Sequence, residues 1–188
     1  MICSGGPRPP EVGDAHRATL KAVSERAART LKWAAQHLGL LDIALDHLTL
    51  GRAALYAAIL QGSSFEPCHA PLQHAVAGLR RAGEQIWLTA GLLTRAWLRF
   101  LTGPRAGPES ARSDLDEAWE IAERGSMKLH MADIHLHRAR LFFREAKYPW
   151  ESPQADLAAT RELIQKCGYG RRKEELEDAE RAIGGGGA

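Results

Sequence analysis

Asparagine is missing altogether from this chain of 188 residues, so glutamine and the backbone are the only amide groups it can use for recognition. Cysteine is almost as scarce. Cys3, Cys68 and Cys167 are far apart and odd in number, which argues against a disulfide framework of the secreted kind. Neither sign of charge dominates, because 25 Lys and Arg against 23 Asp and Glu leave a formal charge of +2. That balance gives no general electrostatic reason to expect a nucleic acid or an anionic membrane as partner. No run of ~18 uncharged apolar residues occurs, so a membrane partner is not expected on that ground either. The opening MICSGGPRPPEVGD has no basic stretch followed by an apolar run, and the expectation is a reducing, cytoplasmic setting without a secretion leader. Missing too are GxxxxGKS/T, GxSxG, HExxH and paired CxxC motifs. An enzyme is therefore not expected, and no catalytic residue, metal or cofactor is assigned.

Strands lack a signature as well, since β-branched runs with period-two alternation are absent. Ala, Leu, Arg and Glu, all strong helix formers, fill the chain instead. The prolines fall at 7, 9, 10, then 67 and 71, 104 and 108, 149 and 153, and none of them interrupts a helical pattern. The intervals predict helices at about 15–37, 42–61, 70–82, 85–102, 111–125, 127–146, 154–167 and 171–183. Ser110 and Ser152 stand where N-caps belong. Gly39, Gly62, Gly83, Gly103, Gly125 and Gly168 follow apolar-periodic runs, where a left-handed C-terminal cap favours glycine. Residues 1–14 and the Gly-rich tail 184–188 have little to bury and are expected to be loose.

Laid over one another, the helices repeat. RAAL at Arg52, RAWL at Arg95 and RARL at Arg138 recur 43 residues apart. Second helices recur with them: LQHAVAGLRRAG from Leu72, LDEAWEIAERGS from Leu115 and LAATRELIQKCG from Leu157, at offsets of 43 and 42. Matched helices, glycines and proline-marked turns at one period indicate internal duplication. The segments TLGRAALYAAILQG, LLTRAWLRFLTG and HLHRARLFFREA resemble the first helices of the tetratricopeptide repeat family, and the Leu72, Leu115 and Leu157 segments its second helices. The period exceeds the family's usual ~34 residues through longer turns and longer first helices. The stretch DLDEAWEIAERGSMKLHMADIHLHRARLFFRE, with YPW and GYGRRKEELEDAE after it, is similar to repeat regions of large bacterial signalling proteins, often linked to NTPase or Toll-interleukin-type domains.

The resemblance implies an all-α fold: an α-solenoid of antiparallel helix pairs over 15–183, about three repeats, with a charged C-terminal capping helix at 171–183. The helix at 15–37 fits the second half of a repeat whose first half is missing. Two-sided burial is also expected from the helix at 127–146, with one stripe at Leu129, Ala132, Leu136, Ala139 and Phe143 and a second at Ile134 and Leu141.

Such a fold implies protein–protein recognition, with an unidentified protein or peptide as partner; the alternative is a sensor repeat that binds a small ligand or restrains a fused effector. Arg52, Arg95 and Arg138 hold equivalent places and are candidates for a ladder facing an acidic partner. Packing of their stems over neighbouring side chains competes with that role. Asp114, Asp116, Glu117, Glu120 and Glu123 form either a solvated face or their counter-charges. Trp150, in the turn KYPWESP, is the candidate exposed anchor, whereas the helix-centre tryptophans Trp33, Trp87, Trp97 and Trp119 are expected in the core. His130, Asp133 and His137 share one helical face, but ~10 Å separates residues seven apart, too far for one ion. Cys68 beside His69 and His74 has no orienting carboxylate nearby in sequence.

Overall fold

The computed structural model describes residues 10–37 and 39–185, with side chains at 14–34 and 39–185. Among these residues the chain is all helical. Helices α1 (Pro10–His37), α2 (Leu40–Gln61), α3 (Glu66–Ala82), α4 (Gln85–Thr102), α5 (Ala111–Arg124), α6 (Lys128–Phe142), α7 (Pro153–Cys167) and α8 (Lys173–Gly184) follow in order, with a short 3-10 turn at Gly170–Arg172 before α8.

Capping chemistry sets several of these ends. Ser110 Oγ accepts from Ser113 N at 3.1 Å while Ser113 Oγ accepts from Ser110 N at 2.9 Å, a reciprocal box that starts α5. Ser152 Oγ accepts from Ala155 N at 3.0 Å at the start of α7. Left-handed glycines close α2, α3 and α7 at Gly62, Gly83 and Gly168, whereas Gly103 and Gly125 end their helices with negative φ. After Gly125 the positive φ falls on Ser126 instead, at 51°.

Three boundaries depart from the sequence pattern. α3 begins at Glu66, so Pro71 lies inside it. With Pro67 in the first turn, the only bond that Pro71 forfeits is the one to the carbonyl of residue 67. α1 begins at Pro10, so residues 10–14 are helical; residues 1–9 and 186–188, expected to be loose, lie outside the described residues. α6 stops at Phe142 rather than continuing to 146.

Each helix packs on the next along the chain. Beyond these neighbours, α2 touches α4, α4 touches α6 and α6 touches α8, while among the described residues α3, α5 and α7 make no contact with one another. The even-numbered helices thus form one continuous row of contacts, the inner row, while the odd-numbered ones, the outer helices, do not touch one another among the described residues. Helices in the inner row must be covered on more than one side. That explains α2, which by length and composition is apolar enough to cross a membrane yet lies here against α1, α3 and α4. One core runs from Leu48 and Leu55 through Leu72, Leu79, Leu92 and Leu115 to Ile134 and Phe142, and a smaller one joins Leu136 and Leu157 to Leu176.

The α2–α3 crossing is close because Gly51 meets Leu72. A Cβ on Gly51 would sit 2.5 Å from Leu72 Cγ and Cδ2 and 3.3 Å from Leu72 N, and Leu72 is fully buried. Gly51→Ala is therefore expected to destabilise by ~1–3 kcal/mol through overpacking. On an open helix the same change would stabilise by up to ~1 kcal/mol. Gly91→Ala, whose Cβ would meet only side-chain tips at 3.2 and 3.4 Å, should lose less. Urea midpoints of the two variants check the order; equal or reversed losses would contradict this packing.

Candidate functional site

The inner row borders an open cavity of ≈ 780 Å³ to which α2, α4, α6, the 3-10 turn and α8 all contribute. Its apolar wall carries Tyr56, Ile86, Trp87 and Leu129, which are 43–53% exposed and account for four of the seven large exposed hydrophobic residues among those described. Tyr56 stands edge-on to Trp97 at 5.4 Å between ring centroids. Apolar side chains concentrated in a concavity and left open to water mark a binding surface.

The opposite wall is a charged network. Asp133, nearly buried on α6, accepts from Arg172 Nε at 2.8 Å and from Tyr169 Oη at 3.2 Å. Arg172 also reaches Glu175 at 2.6 Å, and Glu175 accepts from Arg140 at 3.0 Å. Burial alone works against the charge of Arg172, but Asp133 and Glu175 more than offset it and hold its pKa above the ordinary guanidinium value. Burial pushes His130 and His137 below the usual imidazole range, so both are neutral at neutral pH. His137 Nδ1 lies 2.8 Å from the Asp133 carbonyl. The shared helical face that brought His130, Asp133 and His137 together in the sequence thus has its carboxylate engaged by Arg172 and Tyr169.

Arg52 faces into this cavity from α2. Its Nε donates to Thr94 Oγ1 at 3.0 Å and its Nη2 to the Ala90 carbonyl at 3.1 Å, both neutral oxygens of α4. Among the described residues no carboxylate lies within ion-pair distance of it. Burial holds its pKa below the guanidinium norm; Tyr56 and Asp133 act against that shift, and Arg172 and Arg171 act with it.

No family model, curated protein or solved structure matches this chain. What the cavity does must be argued from its own residues.

The three equivalent arginines do not form one ladder. Arg95 turns away from the cavity to the buried Asp114 of α5, with Nε and Nη2 on its two oxygens at 3.0 and 2.6 Å; Arg99 adds a bond at 2.9 Å. Arg138 is buried between the rings of Trp119 and Trp150, at 4.8 and 4.6 Å from their centroids, with Asp116 3.7 Å away. Trp150 is half-buried rather than an exposed anchor. It donates Nε1 to Asp116 at 2.9 Å and packs edge-on against Phe142 and Tyr148. The acidic α5 supplies counter-charges at Asp114, Asp116 and Glu117, the last pairing with Arg80 at 2.6 Å. Trp87 and Trp33, expected in the core, are 43% and 54% exposed. Cys68 is fully buried, and that burial pushes its thiol above the usual range, which suits packing rather than attack.

One sequence signal separates Arg52 from its equivalents. The residue before each second-helix leucine is Pro71, Asp114 and Asp156 in turn. Asp114 holds Arg95, and Asp156 is occupied by His135 Nδ1 at 2.6 Å and the Tyr148 hydroxyl. Pro71 offers no charge, so the helix pair that carries Arg52 lacks the acid at that place.

Proposed function

We propose that this chain is a tetratricopeptide-like recognition module, an α-solenoid of three helix pairs (α2–α3, α4–α5 and α6–α7) between a leading α1 and a capping α8. It binds another protein through the inner row and does no chemistry of its own. In this reading it serves a larger bacterial signalling or regulatory protein, as its repeats imply by resemblance. The single observation that carries the proposal is the contact order: α2, α4, α6 and α8 touch in succession while the outer helices do not. That pattern is what stacking of first helices along a concave face produces. The four exposed apolar side chains on this face supply the anchor surface that a partner segment needs.

Affinity capture with the intact chain tests it. Ile86→Asp with Leu129→Asp places two carboxylates on the inner wall at exposed positions, where folding tolerates them. Capture of a specific partner should be lost while helicity is kept, and Val23→Asp on the exposed side of α1 should leave it intact. Capture that survives the inner-wall changes, or is lost equally with the α1 change, would sink the inner-row assignment.

A second reading, that of a small-ligand sensor, is supported by the cavity itself. Its ≈ 780 Å³ falls within the ~300–1,000 Å³ range of small-molecule sites.

A further inference from the structure

We propose that the inner cavity binds a compact aromatic carboxylate, its ring system against Tyr56, Trp87 and Leu129 and its carboxylate seated by Arg52. This rests on the inner row being the recognition face and deepens its small-ligand branch.

Charge complementarity carries the argument. Four arginines line the cavity, Arg52, Arg140, Arg171 and Arg172, against two carboxylates, Asp133 and Glu175. Both carboxylates are taken: Arg172 holds Asp133 and Glu175, and Arg140 shares Glu175. Arg171 lies over the Tyr169 ring at 5.3 Å and, like Arg52, has no carboxylate within ion-pair distance among the described residues. The neighbouring histidines, held neutral by burial, add no charge that alters this count. Two cations are thus left for an incoming anion.

Arg52 is also held in place to receive one. Bonds from Nε and Nη2 to α4 fix the guanidinium plane, and Nη1 has no hydrogen-bond partner among the described residues. The equivalent Arg95 shows what such a group engages when an acid is present, a carboxylate taken by two nitrogens at once. In the first repeat Pro71 replaces that acid, and a ligand carboxylate can fill the same electrostatic role.

The other end of the ligand is set by the wall. Tyr56, Trp87, Trp97, Phe143 and Tyr169 give the cavity an aromatic lining suited to stacking and edge contacts. Arg52 and Tyr56 of α2 line the same cavity as Arg171 and Arg172 of the 3-10 turn, so its walls are drawn from distant parts of the chain. A concavity of ≈ 780 Å³ has the size of a site for a compact ligand.

Isothermal titration of the intact chain with naphthoate and with its uncharged isostere naphthamide tests the proposal. Naphthoate should bind with submillimolar affinity and about tenfold or more tighter than naphthamide, the worth of one charge-assisted hydrogen bond. Arg52→Gln should bring naphthoate down to the naphthamide level without changing naphthamide, and Arg171→Gln should weaken naphthoate a fewfold. Tryptophan quenching by naphthoate should shrink in Trp87→Leu. The isostere comparison needs no variant, so a folding defect in Arg52→Gln would leave the test intact. Absence of naphthoate binding, equal binding of the two isosteres, or indifference to a folded Arg52→Gln would overturn the proposal. So would binding at Arg52 of an acidic peptide with naphthoate excluded. If naphthoate fails while partner capture still depends on Ile86 and Leu129, the ligand class falls and the recognition face stands.

Discussion

Asp114→Ala is expected to destabilise the fold by about 3–5 kcal/mol, at the lower end of that range. Asp114 is 1% exposed and accepts three bonds, two from Arg95 and one from Arg99. Removing the carboxylate leaves two neighbouring guanidiniums at the α4–α5 junction without their ion-pair partner, with Glu109 and Glu117 acting on Arg99 only from farther away. Arg99 is already pushed down by burial, and Asp114 is the largest influence acting the other way. The side chains of Arg95 and Arg99 keep 15% and 19% exposure, so water relieves part of the loss. Denaturant unfolding gives the number, and Asp114→Ala with Arg95→Met provides the control. Removing Arg95 together with Asp114 should recover part of the loss, because one unpaired cation disappears with its partner. A loss under ~1 kcal/mol for Asp114→Ala would mean that this buried cluster is not a structural anchor. Arg52→Met should cost far less than Asp114→Ala in the same denaturant unfolding. It removes a desolvated cation that has no carboxylate, and Thr94 still donates to the Ala90 carbonyl at 2.9 Å without it.

Phe142→Ala is expected to cost about 3–5 kcal/mol, the usual loss for truncating a buried aromatic side chain. Phe142 is 2% exposed and joins two parts of the chain. Its ring meets Phe100 of α4 at 5.0 Å and Trp150 of the α6–α7 connection at 5.2 Å. Truncation opens a void and frees Trp150, which in turn covers one face of Arg138. Tryptophan fluorescence should therefore shift toward the solvent-exposed wavelength as the denaturation midpoint falls. Phe143→Ala is the informative neighbour, since Phe143 lines the cavity and is only half-buried. Its loss should be well below that of Phe142→Ala. The reverse order would restore the stripe through Phe143 that the periodicity suggests.

That stripe shows where sequence reasoning stops. A 3.6-residue period identifies apolar faces but does not say which is covered by protein and which is left open. Leu129 and Phe143 were grouped with Ala132, Leu136 and Ala139, yet Leu129 is 43% exposed on the cavity wall while the three others are buried. Trp87 failed in the same way, because burial depends on which neighbour arrives and not on the residue's own hydrophobicity. The arginines show the converse. Their equivalence at 43-residue spacing was visible, but a long side chain chooses its partner from the helix beside it, and those helices differ at Pro71, Asp114 and Asp156.

Local chemistry was legible because it is local. Helix-forming composition, the serines that cap α5 and α7 and the left-handed glycines after α2, α3 and α7 all depend on residues within a turn or two of one another, and the 43-residue recurrence of RAAL, RAWL and RARL is read directly along the chain. The sequence by itself therefore determined that this protein is helical, where most helices start and stop, and that short motifs recur at a 43-residue spacing. Only the tertiary structure decided that α2, α4, α6 and α8 share an inner row, that their wall is open and aromatic, and that Arg52 enters it without an ion-pair partner among the described residues while Arg95 and Arg138 are engaged by neighbouring helices. The physical reason is that cavities and charge pairs are made between helices distant in the chain. Their energies depend on distance and desolvation, which no single segment encodes.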